Sequence, residues 1–411
     1  MTSIALSTTW ARRACSTNVR VFWPPVSVPG RIARILTSLP TGCEADNIPR
    51  MNDTAARSKR SRARVRKIVV GVTIVVALLA VAYVFLHEPS PPSQLQGAEP
   101  SPLTAADASG GGVALAVQSD DPGLRDIGAR WYFNWDFRPH EDVDLEFVPL
   151  VCGYPGDGQV SDEHLAEVEE AIRGDPAAYP DGTIFLIGNE IGYEHQNDER
   201  SPSQYAEDFH RCRTLLMSLN PTFRVSVGPA ILTPDEGITD AIVDAEDGLD
   251  YLRQVIGAYE EQHGTPIPAD YFAATNHVMH AEEFDVFAER IVEMRRLLDA
   301  HDLRDKDVIL TEIGVPTRGS ASEEIEAFMN EALRFVATAT DSRFGHPDDD
   351  RLVQRWAWFI AQPLSPWDKL RSTGFGAFFL RFAQTSLFDR DGELTHLGRV
   401  YRMMMINPGA V

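Results

Sequence analysis

From Val113 onward, short apolar runs alternate with amphipathic stripes, and this alternation limits the fold more than any other property of the chain. Eight runs read as strands: Val113–Val117, Ala129–Trp135, Leu145–Val151, Thr183–Asn189, Arg224–Pro229, Tyr271–His277, Val308–Ile313 and Arg355–Ile360. Most are continuous in Val, Ile, Leu and aromatics, as strands covered on both faces must be. Helices fall between the later strands. Ser201-Pro202 supplies an N-cap and a first-turn proline, and behind it Tyr205, Phe209, Cys212, Leu216 and Leu219 share one face. Phe284, Phe287, Ile291, Met294 and Leu298 form a second stripe, and Ile325, Phe328, Ala332 and Val336 a third. Eight β/α units in about 300 residues make this an α/β chain whose expected architecture is a (β/α)8 TIM barrel over residues 113–411. The runner-up is a doubly wound open sheet, but no glycine-rich phosphate loop follows the first strand.

The segment before the barrel has a different chemistry. Ile68–Leu86 holds 19 residues without a charge, enough to span a hydrocarbon core. Seven Lys and Arg between positions 51 and 67 precede it, and Glu88 with a Pro/Ser-rich run follows. The positive-inside rule then predicts a single-pass cell-membrane protein, with a cytoplasmic N-terminus and an extracellular domain after residue 86. An uncleaved anchor is favoured over a cleaved signal peptide, because the apolar stretch outruns a usual signal core. Residues 87–112 read as a Pro/Ser/Gly linker, and 51–67 as a basic stub. Residues 1–50 lack periodicity and read as disordered or as an extension ahead of a start at Met51.

Charge narrows the partners. The chain carries −22 overall and residues 1–67 carry +10, so the remainder stands at −32. Such a surface repels nucleic acid and anionic lipid. Of four cysteines, Cys15 and Cys43 precede the apolar segment, and no CxxC pair offers a thiolate zinc site. Cys152 and Cys212 can pair in an oxidising compartment; two buried free thiols is the preferred expectation.

Two strands end on a glutamate. The fourth ends IFLIGNE, placing Asn189 and Glu190 at its tip, and the seventh ends VILTEIG, placing Glu312 there. An ionised carboxylate closing an apolar strand is costly unless paired or used. Barrel chemistry sits at strand C-termini, and strands three apart face each other across the mouth. Carboxylates placed so can approach to about 5–5.5 Å, the separation of retaining glycosidases. Burial and mutual repulsion then keep one proton on the pair, giving one acid and one nucleophile.

GNE at strand four with TEIG at strand seven resembles the pattern of clan GH-A glycoside hydrolases. The resemblance implies that Glu190 is the acid/base, that Glu312 is the nucleophile, and that Asn189 bonds the sugar 2-hydroxyl. WYFNW at 131–135 and FVPLV at 147–151 are similar to the WYYNW and FVPMLW signatures of glycoside hydrolase family 128, which acts on β-1,3-glucans. SLFDRDGELTHLGRVY at 386–401 is similar to the ending of several clan families. Cys152 stands where a tryptophan usually follows the third strand, and Met279 where an aromatic often follows the strand-six histidine. These departures leave the linkage open.

Sugar rings stack on aromatic faces, which brings Trp135, Tyr193 and Trp358 forward as substrate-binding candidates. His277 joins them by resemblance, with His280 as its competitor. Asn134 either orients a carboxylate from the barrel interior or bonds its adjacent loop. The loop GYEHQNDERS, with Glu194, His195, Asp198 and Glu199, reads as a solvated acidic loop rather than a metal site. No cofactor or metal is expected. The predicted function is a membrane-anchored retaining glycosidase of β-linked glycans, with an oligosaccharide or polysaccharide substrate. The alternative is a non-catalytic glycan-binding protein on the same scaffold. Proton abstraction by the same glutamates lacks a cationic or metal site for an enolate.

Overall fold

The computed structural model describes residues 103–104, 106–116, 121–153, 159–193, 198–232, 248–278, 280–315, 322–362 and 385–406. The expected membrane segment at 68–86, its stub and most of its linker lie outside the described residues. Among the described residues, no helix is long and apolar enough to cross a membrane.

Nine strands form one sheet: β1 (Gly111–Ala114), β2 (Trp131–Phe133), β3 (Glu146–Phe147), β4 (Leu150–Val151), β5 (Ile184–Ile187), β6 (Arg224–Ile231), β7 (Tyr271–His277), β8 (Asp307–Gly314) and β9 (Arg355–Trp358). The order is β3-β2-β1-β9-β8-β7-β6-β5-β4, and every pairing is parallel. The two edges, β3 and β4, are halves of the single third strand expected at Leu145–Val151. Pro149, which has no N–H to give a ladder, interrupts it. The N–H of Val148 still donates to Tyr132 O, and Pro149 O accepts from Leu186 N–H, both at 2.9 Å. The same chain segment therefore touches both edges of the sheet, and the fold is an α/β barrel-like one.

β1 starts two residues before the expected Val113. Its glycines are needed for close approach: a Cβ on Gly112 would sit 2.4 Å from the Trp131 ring. A one-turn helix at Leu124–Ile127 separates β1 from β2, and no helix lies in the fully described connection from β2 to β3. From β4 onward helices alternate with strands: α1 (Asp162–Gly174), α2 (Pro202–Leu219), α3 (Gly248–His263), α4 (Phe284–Ala300), α5 (Ser322–Thr338) and, after β9, α6 (His396–Met405). α2 begins on a full capping box between Ser201 and Gln204 with Pro202 in its first turn, as the sequence predicts. Its predicted stripe is buried at Tyr205, Phe209, Cys212 and Leu216, with Leu219 partly buried.

Strand alternation divides the core in two. Trp131, Phe133, Ile184, Leu186, Tyr271, Ala273, Ile309, Ala357 and Phe359 pack together inside the barrel. Tyr132, Phe185, Phe272, Leu310, Trp356 and Trp358 join the helix stripes in the outer layer.

Two expectations fail at this level. Cys152, just past β4, is disulfide-bonded to Cys212 on α2, instead of both remaining free thiols. Sixty residues separate them, and only the docking of α2 beside β4 brings them together. Asp198, expected in a solvated loop, is fully buried and paired with Arg200 at 2.5 Å. Glu194 and His195 lie outside the described residues.

Candidate active site

Glu190 follows β5 by three residues and is 4% exposed. The backbone turns through left-handed conformations at Gly188 (φ 101°) and at Glu190 itself (φ 42°). Glycine suits the first position because a Cβ there would meet Ile191 at 2.6 Å as well as strain the backbone. The turn is held by Gly188 N–H to Val151 O at 2.8 Å, Ile191 N–H to Pro229 O at 2.9 Å and Tyr193 N–H to Glu190 O at 3.1 Å.

Glu312 reaches the same space through a fault in β8. Ala274 pairs with Leu310, but Thr275 pairs with Glu312, so Thr311 is an extra residue. The shift recurs toward β9, where Leu310 pairs with Trp356 and Ile313 with Trp358. In an unbroken ladder Glu312 would lie opposite Asn276 and face the helices, because side chains alternate with a period of two. The bulge at Thr311 returns it to the face of Ile309 and Thr275.

One ligand-type atom from each of Glu190, His277 and Glu312 lies within 4.8 Å of the other two, and all three side chains are buried. Trp135 Nε1–H donates to Glu312 Oε1 at 3.0 Å, and His277 Nε2 lies 3.3 Å from Oε2. Trp135 is partly buried, with φ 58° just past β2. Two carboxyl groups this close can share acid and nucleophile roles. With the imidazole they are also the described group whose donor atoms could hold a cation.

The other predicted residues divide clearly. Asn189 is buried beside Glu190, and its Oδ1 has no hydrogen-bond partner among the described residues, so it is free to accept from a ligand. Tyr193 is half-buried at the end of the turn Glu190-Ile191-Gly192-Tyr193, which its N–H closes on Glu190 O. His277, at the end of β7, is the histidine in the site; its competitor His280 is exposed. Two candidates are corrected. Trp358 is fully buried in the outer layer and donates Nε1–H to Thr385 O at 2.8 Å, so it has no face for a sugar. Asn134 uses both ends on its own loop, donating to Arg138 O at 2.9 Å and accepting from Asp136 N–H at 3.1 Å. The aromatic that does reach the site from β9 is Phe359, edge-on to His277 at 5.2 Å and to Trp135 at 5.9 Å. The parity of Ala357 and Phe359 against Trp356 and Trp358 is the signal that could have found it.

A cavity of about 370 Å³ opens beside Trp135, walled by Asp136, Phe137, Cys152 and His164. His164 Nε2 accepts Cys152 N–H at 3.1 Å, and burial pushes its pKa below the ordinary value.

Two buried glutamates at the C-terminal end of a parallel barrel-like sheet, Glu190 just past β5 and Glu312 near the end of β8, form the arrangement of the glycoside hydrolase class. The chain belongs to the family described as glycosyl hydrolase catalytic core, which residues 112–401 match. No curated protein matches it. Among solved structures, a family 128 (subgroup IV) endo-β-1,3-glucanase from Lentinula edodes is 14% identical, covering 72% of this chain and 100% of its own, with a TM-score of 0.50. A family 128 (subgroup I) endo-β-1,3-glucanase from Amycolatopsis mediterranei, solved with laminarihexaose, is 15% identical over 72% of this chain and 99% of its own, TM-score 0.45. A family 128 (subgroup VII) oligosaccharide-binding protein from Trichoderma gamsii is 9% identical over 76% and 98%, TM-score 0.42. The resemblance to family 128 is borne out by the family match over residues 112–401.

Proposed function

We propose that the chain is a retaining glycoside hydrolase of β-linked glycans, with β-1,3-glucan as its substrate class. The observation that carries this is the closeness of the buried pair: one carboxylate oxygen of Glu190 and one of Glu312 lie within 4.8 Å of each other. Inverting enzymes need about 6.5–9.5 Å to admit a water, whereas retaining ones use about 5–5.5 Å. Glu312, held by Trp135 and His277, attacks the anomeric carbon. Glu190 protonates the leaving oxygen, then deprotonates the water that releases the glycosyl-enzyme. Asn189, with its open acceptor, takes the hydrogen of the sugar 2-hydroxyl. The barrel is an eight-stranded TIM-type one, counting β3 and β4 as one strand, and residues 68–86 tether it outside the cell membrane.

The test is hydrolysis of laminarin and of an aryl β-laminaribioside by Glu190→Gln and Glu312→Gln. Each variant is expected to lose turnover by a factor of about 100 or more. Azide should restore turnover of an activated aryl substrate by Glu190→Ala and give a β-glycosyl azide. Wild-type-like turnover by either Gln variant would refute the assignment. Binding without turnover by the parent chain would instead favour a glycan-binding role.

A further inference from the structure

We propose that Arg200 is a positioning residue for Glu190, acting through a buried scaffold that clamps both sides of the Gly188–Gly192 turn. The proposal rests on Glu190 being the acid/base. Arg200 is fully buried, and a guanidinium cannot stay there unless its donors are met. Its Nε and Nη2 bond the two oxygens of Asp198 at 2.9 and 2.5 Å, and Nη1 bonds Asp208 on α2 at 3.2 Å. Nη2 also reaches Cys152 O at 3.4 Å, so a single cation joins the end of β4, the loop after Glu190 and α2.

The same scaffold holds the turn before and after the glutamate. The guanidinium lies 4.9 Å over the ring of Tyr205. Tyr205 O–H donates to Ile187 O at 2.5 Å, the last residue before the turn, and its oxygen accepts Gly228 N–H at 2.6 Å. On the other side, Tyr251 O–H donates to Arg200 O at 2.7 Å. The Tyr251 ring also covers Gly192, where any Cβ would collide with it. Three left-handed residues, Gly188, Glu190 and Gly192, thus lie between two tyrosines that both meet Arg200. A left-handed glutamate persists only where its surroundings over-determine it.

The experiment compares two leaving groups in the full-length chain. Departure of 2,4-dinitrophenolate needs no proton, whereas departure of phenolate does. Tyr251→Phe removes one O–H and keeps the ring; Asp198→Asn keeps the shape and removes the charge. With phenyl β-laminaribioside, kcat/KM should fall about 100-fold in each. With the 2,4-dinitrophenyl substrate it should change little. A merely structural role would lower both rates together, and that result, or no change in either, would overturn the proposal. Glu190→Gln runs in parallel. If it shows the leaving-group dependence and the two scaffold variants do not, the positioning role fails alone. If Glu190→Gln lacks it, the acid/base reading fails and takes the positioning role with it.

Discussion

Replacing Cys152 and Cys212 together by alanine is expected to destabilise the domain by about 4 kcal/mol. The bridge closes a loop of 60 residues. For that length, the chain-entropy relation gives about 14 cal/mol/K of freedom returned to the unfolded chain, or about 4 kcal/mol at 25 °C. Both cysteines are buried, so the native state gains no compensating hydration. The assay is guanidinium unfolding of the oxidised wild type, the double variant and the wild type with reductant, each followed by tryptophan fluorescence. The last two should coincide near a common, lower midpoint. A double variant within about 1 kcal/mol of the oxidised wild type would refute the reasoning, because the bridge would then constrain nothing.

Other outcomes follow from the site and its surroundings. Trp135→Phe keeps an aromatic face but removes the N–H that holds Glu312, and kcat/KM should fall by about tenfold or more at unchanged stability. Trp358→Phe should leave KM unchanged while lowering the melting temperature, since its N–H bonds Thr385 inside the outer layer. His164 carries a pH signature. Burial lowers its folded-state pKa from 6.5, so the unfolded chain binds the proton more readily. Stability is therefore full above about pH 6.5 and declines as the pH falls below it. His164→Gln should flatten that decline in denaturant midpoints measured between pH 7 and 5.

Much of the site was written in local pattern. Glu190 and Glu312 stand out because each ends an apolar strand, and an unused charge there is costly. The capping box at Ser201 and the stripes of α2, α4 and α5 were equally visible, since each depends only on neighbours a turn away. What the sequence hid was non-local or depended on parity. Cys152 and Cys212 meet only after α2 docks. Asp198 looked like one more acid in a polar loop until Arg200 folded in beside it. Trp358 drew notice as a large aromatic, but one residue decides which face of β9 a side chain takes, and Phe359 has the inner one. The bulge at Thr311 is the sharpest case. Uninterrupted alternation along β8 would put Glu312 against the helices, and only its partners in β7 and β9 reveal the extra residue.

The central claim is that Glu190 and Glu312 work as a retaining pair. Proton nuclear magnetic resonance of the anomeric signals during the first moments of laminarin hydrolysis tests it most directly, before mutarotation mixes the products. The β-anomer should appear first, as a double displacement on a β-linked glucan requires. First appearance of the α-anomer would contradict the account, because it would mean a single inverting displacement.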